Sequence, residues 1–162
     1  MIPLRLVGVR VELESNQPIV LLREASGTRY LPIFIGSPEA TAIVYAMQGL
    51  DTPRPMTHDL MKQVLDDRNI VLRRVDITAL EARTFFAELH LDADGELRKM
   101  DSRPSDAIAL AVRYGTDVVE LFASEAVLDE AGVELPDEDD DPEAQVEEFR
   151  EFLDSINPED FA

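Results

Sequence analysis

The chain contains no cysteine. That excludes a disulfide framework, a thiol nucleophile and a zinc–thiolate site, and it makes the cytoplasm the expected compartment. Basic residues are scarce. Fifteen Lys and Arg stand against 34 Asp and Glu, for a formal net charge of −19. Tight, non-specific binding to a phosphate backbone needs clustered Lys and Arg, so the surface as a whole opposes it. No apolar run approaches the ~20 residues that span a bilayer, and no membrane partner is expected. The start, Met1-Ile2-Pro3-Leu4-Arg5, lacks the basic, apolar and small-residue segments of a signal peptide. Also missing are a P-loop, a His-Glu-x-x-His helix, a Gly-x-Ser-x-Gly elbow and a Rossmann fingerprint.

What is present fits one domain with an appendage. The 162 residues are 45% hydrophobic, enough for a real core. Charge is uneven: residues 136–162 hold 12 acids and one base, Arg150, whereas residues 1–135 carry a net charge of −8. Three parts are therefore expected: a domain over 1–135, an acidic linker over 136–142 containing the run Asp137–Asp141, and an amphipathic helix and tail over 143–162. Val146, Phe149, Leu153 and Ile156 recur at helical spacing before Asn157-Pro158. Phe149 and Phe152 call for burial on the same domain or on a neighbouring subunit, and a homodimer or higher homo-oligomer is expected.

The domain reads as α+β with a mainly antiparallel sheet. Leu4–Leu13 alternates apolar and polar residues, and Pro18–Arg23, Tyr30–Ile35, Ile70–Leu80, Thr84–Leu91 and Asp117–Phe122 are further strands, with a short strand ending at Met100. Helices are expected near 37–48, 57–68, 103–114 and 124–131. Ser37 and Thr57 are the expected N-caps of the first two, and Leu60, Met61, Val64 and Leu65 form the expected apolar stripe of the second. The segments from Pro38 to Gly49 and from Pro104 to Gly115 have equal length and follow a strand and a turn. A duplicated β-β-α unit explains this, and shared helix grammar explains it equally well.

Three polar clusters sit where loops enter helices: Gly36-Ser37-Pro38-Glu39, Arg54-Pro55-Met56-Thr57-His58-Asp59, and Asp101-Ser102-Arg103-Pro104-Ser105-Asp106. Unpaired backbone N–H groups and the helix dipole favour an anion there. Capping and one Arg103–Asp106 pair account for the third cluster without any chemistry, and Glu39 and Asp59 suit the positive ends of their helices. His90, the second of two histidines, reads as structural or solvent-facing. The chemical reading assigns more. Arg54 and Arg103 can grip a phosphate, and His58 can move a proton near neutral pH. Glu39, Asp59, Asp101 and Asp106 offer oxygens to Mg²⁺ or Mn²⁺. Phosphodiester hydrolysis needs these roles.

At the same clusters the sequence resembles the bifunctional nuclease family of DNase/RNase domains. The matching stretches are Leu31-Pro32-Ile33-Phe34-Ile35-Gly36 with Glu39-Ala40, Arg54-Pro55 with Thr57-His58-Asp59-Leu60, and Thr84-Phe85-Phe86-Ala87. Ser102 to Ala111 and Val127-Leu128 with Ala131-Gly132 complete the set. The likeness covers roughly residues 4–135 and resembles members from high-GC Gram-positive bacteria. It implies a nuclease acting on DNA and RNA. Within its motifs His58, Asp59, Arg103 and Asp106 are the expected catalytic residues. Arg54, Ser102 and Ser105 are the expected substrate-binding residues, and Glu39, Asp101 and Asp106 the expected metal ligands. The alternatives are a non-enzymatic regulatory module that binds an anionic ligand or a partner, and helix caps in an oligomer-forming domain.

Overall fold

The computed structural model describes residues 1–135. The expected linker and tail helix, 136–162, lie outside the described residues. Eight strands and four helices follow in chain order: β1 (Ile2–Val11), β2 (Pro18–Glu24), β3 (Arg29–Phe34), α1 (Ser37–Met47), α2 (Thr57–Asp67), β4 (Ile70–Glu81), β5 (Thr84–Ala93), β6 (Glu96–Ser102), α3 (Pro104–Tyr114), β7 (Glu120–Ala123), α4 (Glu125–Ala131) and β8 (Val133–Glu134). They form one α+β unit around a single sheet of order β6-β5-β4-β7-β1-β2-β3-β8. Every strand pairing is antiparallel except β4 with β7.

One core joins the sheet to the helices. Val75 and Ile77 of β4, Ala87 and Leu89 of β5, and Leu121 and Ala123 of β7 turn inward and share this core with Ala107, Ile108 and Ala111 of α3. Alternation along the strands sends Arg74, Asp76, Glu88 and His90 to the other face. α3 lies central because its small residues permit close approach: Ala107, Ala109 and Ala111 are fully buried, and α1 and α2 both pack against it. The sheet curves enough to bring Phe34 of β3 and Phe85 of β5 to one cleft, although four strands separate them in the sheet.

Several local expectations shift. The caps of α1 and α2 are Gly36 and Met56, both extended, so Ser37 and Thr57 stand one residue inside their helices. Asp59 serves the second start instead, accepting from the Met56 backbone N–H at 2.9 Å. Of the expected stripe on α2 only Leu65 packs against the core, while Leu60 and Val64 are each 54% exposed. The buried residue of α2 is His58. The reason is position: α2 touches α3 and β4 at the margin of the helix layer. β8 was not expected, since two residues give no period to read. The orders β2-β3-α1 and β5-β6-α3 share the β-β-α succession, but their strands differ in length. Among the described residues no helix is long and apolar enough to cross a membrane.

Candidate functional site

The start of α3 is where the three polar clusters meet. Arg103 caps the helix in extended conformation and its guanidinium turns back along the first turn. Its Nε donates to Asp106 Oδ2 at 2.7 Å and its Nη1 donates to Glu39 Oε1 at 3.1 Å. The other Asp106 oxygen, Oδ1, lies 2.9 Å from His58 Nε2. The chain Glu39–Arg103–Asp106–His58 thus ties the first turns of α1, α3 and α2 together. A carboxylate is an acceptor only, so His58 places a hydrogen on Nε2 toward Asp106.

Two charges are set by this geometry. Burial alone would raise the Asp106 carboxyl, but hydrogen bonds from Arg103 and His58 outweigh it and hold the carboxyl below its usual range. The same carboxylate raises the Arg103 guanidinium, with Glu39 contributing less, so Arg103 stays cationic. Its side chain is 65% exposed, whereas His58 keeps only 10% of its side-chain surface. Arg103 can therefore turn to an incoming anion and His58 cannot.

A cleft of about 340 Å³ opens beside the network. Glu39, Arg103, Ser105 and Gly36 line it from the helix starts, with Phe34, Thr84 and Phe85 from the strands. A side chain at position 36 would collide with the Glu39 carboxylate, so glycine there lets the acid sit over the turn. His58 and Asp106 are not in its lining and reach it through Arg103. Ser102 donates its hydroxyl to the Arg103 carbonyl at 3.0 Å. Asp59 points away to Arg113, which donates from Nε at 2.6 Å. Burial raises the Asp59 carboxyl, and the Met56 N–H and Arg113 together pull it below its usual range. Arg54 is exposed, and its carbonyl accepts from the Thr52 hydroxyl. Asp101 stands on β6 opposite Glu88, on the outward face of the sheet.

The model of the bifunctional nuclease domain matches residues 20–136, a span that includes all three clusters. The chain belongs to the bifunctional nuclease domain family. An uncharacterized protein of Mycobacterium tuberculosis is 47% identical over 163 residues, covering 97% of this chain and 96% of the relative. Bifunctional nuclease 1 of Arabidopsis thaliana is 32% identical over 103 residues, covering 61% of this chain and 32% of the relative. Bifunctional nuclease 2 of the same plant is 33% identical over 101 residues, covering 60% and 31%. The chain spans about a third of the plant bifunctional nucleases it matches.

In this family member the expected metal ligands do not come together. Glu39 and Asp106 both accept from Arg103, whose guanidinium holds the place a cation would take between them, and Asp101 is on another face. A different group is better disposed to hold an ion: Asp76, Glu88 and His90 offer ligand atoms all within 4.8 Å of one another. Reading the sequence missed this group and Arg113. Both left a trace. Asp76 interrupts the apolar run Val75–Ile77 of a strand, and Arg113 closes a helix that is otherwise almost wholly apolar.

Proposed function

We propose that this bifunctional nuclease domain protein hydrolyses phosphodiester bonds in flexible, single-stranded nucleic acid at the cleft beside α3. The observation that supports this most is the meeting of Arg103, Glu39, Asp106 and His58, residues up to 67 positions apart, in one hydrogen-bonded chain at its edge. Arg103 binds the phosphate bidentately as it turns from its two carboxylates. Glu39, released by that turn and lining the cleft, accepts the proton of the attacking water. The water oxygen bonds to phosphorus, the bond to the leaving sugar oxygen breaks, and solvent protonates that oxygen. Asp106 and His58 are positioning residues that hold the start of α3 and return Arg103 to its place. Flexible substrate is favoured because the 135 described residues carry a net charge of −8 and lack a basic surface to hold a duplex.

The test is turnover of a fluorogenic single-stranded oligonucleotide by parallel preparations. Glu39→Gln should lower kcat by roughly 10²–10⁴ if it is the base, and Arg103→Ala should raise KM as well. His58→Asn should lower kcat less and restore in part with His58→Gln. Equal activity in all preparations would point to a contaminant and remove the proposal. A second reading, an anion-binding module without cleavage, is favoured by one fact: Glu39, the base that cleavage needs, is itself paired with Arg103. Saturable binding with no turnover in any preparation would select it.

A further inference from the structure

The outward face of the sheet carries a polar grid that does not line the cleft. Register sets Asp76 beside Glu88 and Arg74 beside His90, and on β6 it sets Asp101 beside Glu88 and Lys99 beside His90. Asp76 is the anomaly. Its side chain is 3% exposed, and its Oδ1 is buried with no hydrogen-bond partner. Buried carboxylate oxygens normally have donors, because losing hydration without one is costly. The other oxygen, Oδ2, takes Arg74 Nη2 at 2.6 Å and lies 2.8 Å from His90 Nε2. Yet His90 Nε2 has no aligned hydrogen bond. With the imidazole hydrogen on Nδ1, Nε2 and Oδ2 both offer a lone pair, and one ion can take both. Glu88 Oε2 completes the group, 3.8 Å from the same nitrogen. Ligand atoms about 2.1 Å from one ion stand about 3.0–3.4 Å apart in octahedral and tetrahedral shells. The two observed separations bracket that range.

We propose that Asp76, Glu88 and His90 form a divalent transition-metal site, independent of the proposed phosphodiester site. One imidazole nitrogen with two carboxylates suits Zn²⁺ or Mn²⁺ better than Ca²⁺. Asp76 bridges: Oδ2, the oxygen beside His90 Nε2, is shared between the ion and Arg74, and the partnerless Oδ1 is left to close on the same ion. Arg74 itself stays in place over the Phe122 ring, 4.8 Å from its centroid. Lys99, which meets Glu88 Oε2 at 3.3 Å, is 65% exposed and swings to solvent when the ion enters. Asp101 stands next to Glu88 in register and is the nearest further oxygen donor on that face.

The experiment is a titration of the full chain, stripped with chelator, by Zn²⁺ in competition with a chromophoric chelator. One tight site per chain is expected. Glu88→Gln and His90→Asn should each weaken it by at least the roughly 10–100-fold that losing even an outer-shell partner costs. His58→Asn should bind as the wild type does, which separates this site from the cleft. The acidic run 137–141 attracts cations by charge alone, but neither substitution touches it, so only the difference between preparations counts. Glu88 is half-buried on an open face, and thermal unfolding of Glu88→Gln in chelator should match the wild type, showing an intact fold. Co²⁺ as a second probe should give visible absorption bands that vanish in His90→Asn. Absence of a tight site in the wild type, or equal affinity in Glu88→Gln and His90→Asn, would overturn the proposal.

Discussion

Asp106 keeps its charge in a half-buried position because Arg103 and His58 serve separate oxygens of one carboxylate. Asp106→Asn turns one acceptor into a donor that faces Arg103 or His58. A loss of about 1–2 kcal/mol at pH 7 is expected, small because Arg103 is largely in water. The pH dependence has a defined sign. The folded carboxyl titrates below its unfolded value of about 3.9. Its stabilisation is therefore full above that value and fades as pH falls through the folded pKa. Urea unfolding should show the gap between wild type and Asp106→Asn steady above about pH 5 and narrowing as pH falls below about 4, and a constant gap would contradict the pairing. Arg113 is the more deeply set cation, 6% exposed, donating to Asp59 and to the carbonyls of Ala42 and Ala109. Arg113→Met should cost about 3 kcal/mol, since Asp59 and two carbonyls lose their donor, and the urea midpoint reads it directly. The sequence showed which residue types carry chemistry at positions 39, 58, 103 and 106. It could not show that His58 would be buried, because burial depends on where α2 lands.

α2 and α3 illustrate two kinds of helix. α3 is apolar on most sides and was legible as a buried helix, since nothing but a core accepts Ala107 to Val112. Its alanines set the spacing to its neighbours. Ala109→Leu should destabilise by roughly 1–3 kcal/mol through overpacking, measured as a fall in the denaturant midpoint. α2 has the period of an amphipathic helix but buries little of its apolar stripe. Leu60→Gln with Val64→Gln should change stability by less than about 0.5 kcal/mol. A loss above about 1 kcal/mol would show that this face is covered in solution, by the tail or by a second copy. Strand and helix extents were readable because periods of 2 and 3.6 persist over many residues. Caps were misplaced by one residue because a side chain suited to capping does not decide which backbone turns first. β8 carried too few residues to register at all.

The order of the sheet belongs to the whole molecule, and local pattern could not supply it. β7 inserts between β4 and β1, parallel to the first and antiparallel to the second, and places the N-terminal strand mid-sheet. That insertion is a long-range pairing, invisible to any window of sequence. It also unites β1–β3 with β4–β6, so the sheet curls and its helices face one another. The convergence of Glu39, Arg103, Asp106 and His58 follows from that curl. Net charge acts at the same scale. An acidic molecule gains nothing from non-specific attraction to phosphate, so recognition must rest on this local network. The most direct measurement is therefore a binding experiment that no contaminating nuclease can imitate. A non-hydrolysable phosphorothioate dinucleotide is titrated into isotopically labelled protein while the side-chain signals of Arg103, His58 and His90 are followed by NMR. Arg103 and His58 should shift together with one saturating curve while His90 stays still. Saturation with Arg103 and His58 unmoved, or with His90 moving alike, would contradict a phosphodiester site at the start of α3.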